Sequence, residues 1–217
     1  MRRDNQPSTM TTVFILVGGK STRMGTDKAS MTVGESSLLG RVVGAVGHLG
    51  DIRIVGGDES LLEGLPSTRQ TLTHVPDTER DPGPFGALVG ALTAERSRSG
   101  ALDDRAHIVA LSCDLALLTS SDVDRLLTSR SSTGADYAVP LVGGSRQWHA
   151  LALSHGSIPA LQDAYRGGVR SLRRGFAGLS ECTVVSNDPS FFVDVDTPED
   201  VSAAERRLAA SGADAIA

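Results

Sequence analysis

Residues Leu16 to Lys28 read LVGGKSTRMGTDK and follow the short, apolar, β-branched run Thr12 to Val17. Such a run has the composition of a buried parallel strand, and the paired glycines Gly18 and Gly19 let backbone N–H groups approach an anion closely. Arg23 and Lys28 add positive charge just beyond, so the stretch predicts a strand that opens into a phosphate-binding loop. Two familiar phosphate loops do not fit it. A P-loop needs glycine five residues before its GKS, and that position is Phe14; a dinucleotide fingerprint needs GxGxxG, and the next glycine after the pair is Gly25.

Working outward, the chain has 217 residues, 40% of them hydrophobic, which suits one α/β core and is short for two independent ones. A single domain over residues 1–217 is expected, with residues 1–11 and 211–217 disordered. The net charge of -5 argues against a nucleic-acid surface, so positive charge should matter only locally, at the loop and among the arginines from Arg166 to Arg174. Lys20 and Lys28 are the only lysines and share that loop. For Lys20 a solvated side chain and a ligand contact are equally open readings. Cys113 and Cys182 are too few and too far apart for a disulfide framework or a zinc site and suit a reducing compartment. Cys113 reads as a small buried residue at a strand end, not as a nucleophile, because no histidine is near it in sequence. Neither a membrane-length apolar segment nor a signal-peptide core is evident, so a cytoplasmic protein is expected.

Beyond the loop the pattern alternates. Leu38 to Leu49 carries apolar residues at helical spacing, Ile52 to Val55 and Thr71 to Val75 read as buried strands, and a helix over Ala87 to Ala94 is entered through Pro84. His107 to Leu111 is a fourth strand, followed by Asp114 and a helix capped near Ser120 or Ser121. Arg96 to Arg105 reads as a loop. Tyr137 to Val142 and Trp148 to Leu153 form a hairpin beside the main sheet, joined at Gly143 and Gly144, with Pro140 favouring an edge. Ile158 to Tyr165 is helical, Phe191 to Val193 is a short strand, and Thr197, Pro198 and Asp200 start a last helix reaching about Ala210. The predicted class is α/β: a Rossmann-like three-layer sandwich with a mostly parallel sheet and a small β-hairpin extension.

Ligands in open α/β sheets bind at the carboxyl ends of the strands. That rule gathers Gly18 to Lys28, Asp77 to Gly86, Asp114, and Asp194 to Thr197 into one cleft. Asp114 directly follows an apolar strand and is the first candidate for a cation ligand, with Asp196 as a second carboxylate and Asp194 behind it.

The motifs resemble a known family. LVGGKSTRMGTDK is similar to the LAGGxSxRMGxDK signature of the molybdenum cofactor guanylyltransferases, whose fold is of the nucleotide-diphospho-sugar transferase type. DPGPFGAL (Asp81 to Leu88), SCDL (Ser112 to Leu115) and DVDTPED (Asp194 to Asp200) resemble the family's PGPLAGL, CDMP and NVNTPEEL, in the same order. The resemblance implies transfer of GMP from GTP to the phosphate of molybdenum-molybdopterin, with release of pyrophosphate and Mg²⁺ as cofactor. It assigns Arg23, Lys28 and Asp114 to catalysis, and Leu16, Val17, Gly18, Gly19, Ser21, Arg23, Lys28, Asp77, Gly83 and Asp114 to the nucleotide. The metal would rest on Asp114 and Asp196. The acceptor would meet His149, from a segment similar to the family's QPLHALY, together with Arg170, Arg173 and Asp194. Transient contact with molybdenum-insertion proteins or apo-molybdoenzymes is a further implication; membranes and nucleic acid are not expected partners.

Three departures bear on this reading. Val17 replaces the usual Ala, Gly56 stands where many relatives place Asn, and Asp194 and Asp196 stand where many guanylyl enzymes carry Asn. For Gly56 and Gly57 a plain turn is the stronger reading. The carboxylates leave room for a cytidylyltransferase, or for a nucleotidyltransferase acting on a pterin, sugar or small-acid phosphate. An inactive nucleotide-binding regulator is the alternative of another class.

Overall fold

A computed structural model of the chain describes residues 11–18, 28–68, 70–99, 106–186 and 194–211. Strand β1 (Thr11–Leu16) alternates its side chains between two apolar layers, as a strand buried on both faces must. Val13 and Ile15 pack with Leu39, Val42 and Val43 of helix α1 (Leu38–Val46) and with Val123 and Leu126 of α3 (Ser120–Thr133). On the opposite face Phe14 packs with Phe85, Leu88 and Leu92 of α2 (Gly83–Ser99), Leu161 of α4 (Ile158–Arg166) and Phe176, which closes the short α5 (Leu172–Gly175). The result is the predicted helix, sheet and helix sandwich.

The sheet also contains β4 (Asp51–Val55), β5 (Leu72–Val75), β6 (His107–Ser112), β7 (Tyr137–Val142), β9 (Ala150–Ser154) and β10 (Glu181–Val185), in the order β10-β7-β9-β6-β1-β4-β5. Pairs β1·β4, β1·β6, β4·β5 and β7·β10 are parallel; within that order of seven strands β9 alone runs against its neighbours, β6 and β7. Two tiny hairpin elements decorate this frame. Strands β2 (Thr32–Val33) and β3 (Ser36–Ser37) pair with each other, and β8 (Ser145–Arg146) pairs with β7 across Gly143 and Gly144, whose φ values of 52° and 81° suit the tight turn.

Several expectations shift. The segments Tyr137 to Val142 and Trp148 to Leu153 are not a hairpin beside the sheet but members of it. Ala150 to Leu153 is fully buried, and β9 gains that burial by inserting between β6 and β7. Pro140 therefore lies in an interior strand. It is tolerated because β7 and β9 pair only at Tyr137 and Ala138, while the Pro140 carbonyl accepts from Gln147 N at 2.9 Å. The missing N–H falls where the ladder has already opened. Strand β10 was not predicted from sequence.

Helix α2 starts at Gly83, with Pro84 in its first turn, and runs to Ser99, so the front of the Arg96 to Arg105 loop is helical. An Arg98 to Glu95 ion pair at 3.3 Å supports that extra turn. The α3 cap is Thr119, one residue before the expected serines. The Thr119 side chain accepts from Asp122 N, and the Asp122 side chain accepts from Thr119 N in return, which completes the reciprocal capping box. The same device opens α6 (Pro198–Ser211) as expected, where Thr197 N donates to Asp200 Oδ2 at 2.9 Å. Thr11 and Ser211 are placed in β1 and α6, not in disordered ends. The rest of both termini and the strand expected at Phe191 to Val193 lie outside the described residues. Among the described residues no helix is long and apolar enough to cross a membrane.

Candidate functional site

Because β1, β4, β5 and β6 are parallel, their carboxyl ends share one edge. Backbone bonds extend the ladder past that edge: Val17 N to Val55 O at 2.8 Å, Gly56 N to Val75 O at 2.9 Å, Cys113 N to Leu16 O at 3.1 Å. The loops leaving it enclose a cleft of about 470 Å³. Leu16, Val17 and Gly18 line it after β1, Asp77 and Asp81 to Pro84 after β5, Ser112 and Asp114 after β6, and Trp148, His149 and Leu172 across from them.

Lys28 reaches this edge from a 3₁₀ turn, Lys28–Ser30, anchored by the buried Ala29. Its Nζ donates to Asp114 Oδ2 at 2.8 Å and to Asp196 Oδ1 at 2.5 Å. Asp196 arrives because an isolated bridge between Leu115 and Asp194 ties the last described segment to the turn after β6, with Val195 fully buried beneath. Burial works against the Asp114 carboxylate, but the Lys28 hydrogen bond, the Ser112 hydroxyl and the Lys28 charge outweigh it and hold the carboxyl below its usual range. Burial likewise opposes the Lys28 ammonium, and its two carboxylate bonds raise the pKa above the ordinary value.

Asp194 sits on the other side of Asp114. Desolvation raises its carboxyl, against the pull of His149, whose Nε2 is 3.5 Å from Asp194 Oδ2. Donor atoms of Asp114, His149 and Asp194 all lie within 4.8 Å of one another, a spacing that can hold a metal ion. Among the described residues, Asp114 Oδ1 and Asp194 Oδ1 are buried with no hydrogen-bond partner, which leaves carboxylate oxygens of the kind a hard cation takes.

This strand-edge cleft, with lysine and carboxylates at its rim, agrees with what sequence comparison finds: the MobA-like NTP transferase domain matches residues 13–181. The chain belongs to the MobA-like NTP transferases. A probable molybdenum cofactor guanylyltransferase of Pelotomaculum thermopropionicum is 33% identical over 156 residues, spanning 71% of this chain and 69% of that protein. One from Mycolicibacterium paratuberculosis is 28% identical over 194 residues, 88% of this chain and 92% of its own. The crystal structure of molybdopterin-guanine dinucleotide biosynthesis protein A from Archaeoglobus fulgidus superposes with a TM-score of 0.67 at 17% identity, covering 92% and 99% of the two chains, and shares the fold.

Within this member of the family, Leu16, Val17, Gly18, Asp77, Gly83, Asp114 and His149 all line the cleft. Lys28, Asp196 and Asp194 surround Asp114. Gly19, Ser21 and Arg23 lie outside the described residues, as does Lys20. Asp196 meets Asp114 through Lys28, and it is Asp194 that shares donor spacing with Asp114. Arg170 and Arg173 are exposed and absent from the cleft lining. Arg170 is engaged elsewhere: Nη1 donates to the Tyr165 and Val169 carbonyls at 2.9 Å, and its guanidinium stands 4.1 Å from the centre of the Tyr165 ring. Leu172, two residues on, turns into the cleft instead.

Gly56 has φ 82°, and a Cβ there would stand 3.1 Å from Asp77 Oδ2, so the turn reading holds and the small residue lets Asp77 face the cleft. Desolvation raises the Asp77 carboxyl; His74 opposes this and Asp81 adds to it. Trp148 was not picked out from sequence as a site residue, and Asp81 came in only as part of the stretch Asp77 to Gly86. Trp148 follows no predicted strand end, and its only signal is adjacency to His149.

Proposed function

We propose that this chain transfers GMP from GTP to the terminal phosphate of molybdenum-molybdopterin. An acceptor phosphate oxygen forms a bond to the α-phosphorus while the bond to the bridging oxygen breaks and pyrophosphate leaves. The observation that carries the reading is Lys28 held between Asp196 and Asp114, the latter a residue lining the strand-edge cleft. Two polyanions must be brought together, and a fixed ammonium, exchanging a carboxylate for a phosphate oxygen, lowers their repulsion where charge builds up. Arg23, four residues after Gly19 in the loop, is assigned to the same triphosphate. No covalent nucleophile is required.

A divalent cation, Mg²⁺ by family resemblance, held by Asp114 with a second carboxylate would supply further neutralisation of the triphosphate. Gly18 and Gly83 leave room for the nucleotide's phosphates and sugar. Asp77 offers two carboxylate acceptors, which match the ring N–H and exocyclic amine that guanine presents side by side. His149 and Trp148 form the wall toward the acceptor, where Asp194 also stands.

A cytidylyl transfer to the same kind of acceptor is the second reading. Gly56 supports it by lacking the amide side chain that many guanylyl relatives carry, and Asp194 and Asp196 support it by replacing asparagines. Pyrophosphate release, followed with each NTP in turn and molybdenum-molybdopterin as acceptor, separates the two. GTP is expected to be preferred at least tenfold; preference for CTP selects the second reading, and equal use of all four defeats the assignment of base. A tight GTP complex with no pyrophosphate release under any condition identifies a binding protein instead.

A further inference from the structure

We propose that His149 is a metal ligand, and that with Asp114 and Asp194 it forms a mixed oxygen and nitrogen site selecting a transition-series dication of the manganese(II) type over magnesium. The proposal deepens the nucleotidyl-transfer reading and rests on it for the use made of the ion, though not for the binding itself.

Two backbone tethers bring the three ligands together from distant parts of the chain. Asp114 follows β6, which ends at Ser112, and Ser112 N donates to the His149 carbonyl at 2.8 Å, so the residue leading into β9 is fixed against the end of β6. The bridge from Leu115 to Asp194 fixes the third segment. Their donor atoms lie within 4.8 Å of one another, a few tenths of an ångström wider than the roughly 4.2 Å that opposite ligands span around an ion at about 2.1 Å. Small side-chain rotations close that difference.

The second observation is independent of this spacing. Asp114 is only 9% exposed, and its Oδ1, like Asp194 Oδ1, is buried with no hydrogen-bond partner. A buried carboxylate oxygen left bare is costly unless a ligand completes it. Charge points the same way. Among the described residues, the carboxyl groups of Asp114, Asp194 and Asp196 face one ammonium, Lys28, so acidic groups outnumber cationic ones around the His149 imidazole. A dication suits that excess of carboxyl groups.

The donor set then sets the kind of ion. Magnesium takes oxygen ligands almost exclusively and keeps its waters, whereas imidazole nitrogen is a better ligand for manganese, iron, cobalt and zinc. With His149 Nε2 already 3.5 Å from Asp194 Oδ2, one nitrogen and two carboxylates are presented together.

The test uses the untagged full chain with Mn²⁺ alone, without nucleotide or acceptor. Pulsed electron paramagnetic resonance of the bound Mn²⁺ should show ¹⁴N coupling from one imidazole, absent in His149→Ala. In competition titrations the wild-type preference for Mn²⁺ over Mg²⁺ should fall at least tenfold in His149→Ala, and Asp114→Asn should lose Mn²⁺ binding. Bound Mn²⁺ without ¹⁴N coupling in the wild type, an unchanged preference in His149→Ala, or intact binding in Asp114→Asn overturns the proposal. These results are separable from the reaction: ¹⁴N coupling without pyrophosphate release from any NTP defeats the transfer reading and leaves the site standing, and the reverse pattern defeats the site alone.

Discussion

Two clusters of charged side chains are built into this molecule on different terms. In β4, Arg53 is 5% exposed; its Nε donates to Glu95 Oε2 at 3.2 Å and its Nη2 to Asp51 Oδ2 at 3.3 Å, while Arg98 meets the same Glu95 oxygen at 3.3 Å. Two cations answer two anions there. At the carboxyl edge of the neighbouring β1, one ammonium, Lys28, answers Asp114 and Asp196 directly, with Asp194 close by. The Arg53 cluster matches its charges among protein groups and holds a strand to a helix, although Arg53 Nη1 is itself buried without a hydrogen-bond partner among the described residues. The Lys28 cluster, among the described residues, leaves two buried carboxylate oxygens bare, the acceptors the proposed cation would use, and costs the fold something to maintain.

The sharpest way to break this contrast is Asp114→Ala. It should lower the rate of pyrophosphate release by roughly a thousandfold, the scale at which removal of a key electrostatic group is felt. The melting temperature, followed by circular dichroism, should barely move. A large loss of stability with activity retained per folded molecule would put Asp114 in the structural class with Glu95.

Glu95→Ala should do the opposite. It leaves the Arg53 guanidinium buried without its main partner, and denaturant unfolding should show a loss of about 3–5 kcal/mol. The turnover of the folded fraction should be unchanged. Arg53→Met combined with Glu95→Leu should recover most of the loss, because a matched apolar pair carries no desolvation penalty.

Lys28→Ala comes next, with a fall of about a hundredfold in turnover. KM for the triphosphate should rise as well if the ammonium meets substrate in the ground state, whereas an unchanged KM would restrict it to the transition state.

The smallest effect is on the pH dependence of stability. The Asp114 carboxyl is held down, so its contribution is present above the ordinary carboxylate pKa and is lost as pH falls through the lowered folded value. The Lys28 pKa is raised, so its contribution is present below about pH 10.4 and is lost as pH rises through the folded value. Stability from the pair should therefore be flat between about pH 4 and pH 10. Lys28→Met should remove its alkaline limb, and an alkaline limb unchanged in that variant would show that the pair contributes nothing to folding.

Much of the site was legible because each parallel strand delivers its next residues to the same edge. Val17, Gly18, Asp77, Gly83 and Asp114 could be placed there from strand ends alone. The partition of roles within Asp194 and Asp196 could not. The two differ by a two-residue step, yet one bonds Lys28 and the other stands beside His149, a choice made by the Leu115 bridge and the burial of Val195. In residues 167–173 the family resemblance assigned Arg170 and Arg173 to the acceptor; in the structure Arg170 donates to backbone carbonyls and stands over the face of Tyr165, while the apolar Leu172 lines the cleft, a placement that local sequence does not reveal.

By itself, the sequence determined the layered α/β class, the end of β1 just before Gly18 and the capping of α6, since these follow from periodicity and from contacts a few residues long. Tertiary structure decided the antiparallel insertion of β9 between β6 and β7, the presence of β10, and the meeting of Lys28 with Asp114 and Asp196 across 86 and 168 residues. Strand order and long-range ion pairs are fixed by which buried surfaces close the core together, and local patterning carries no record of that choice.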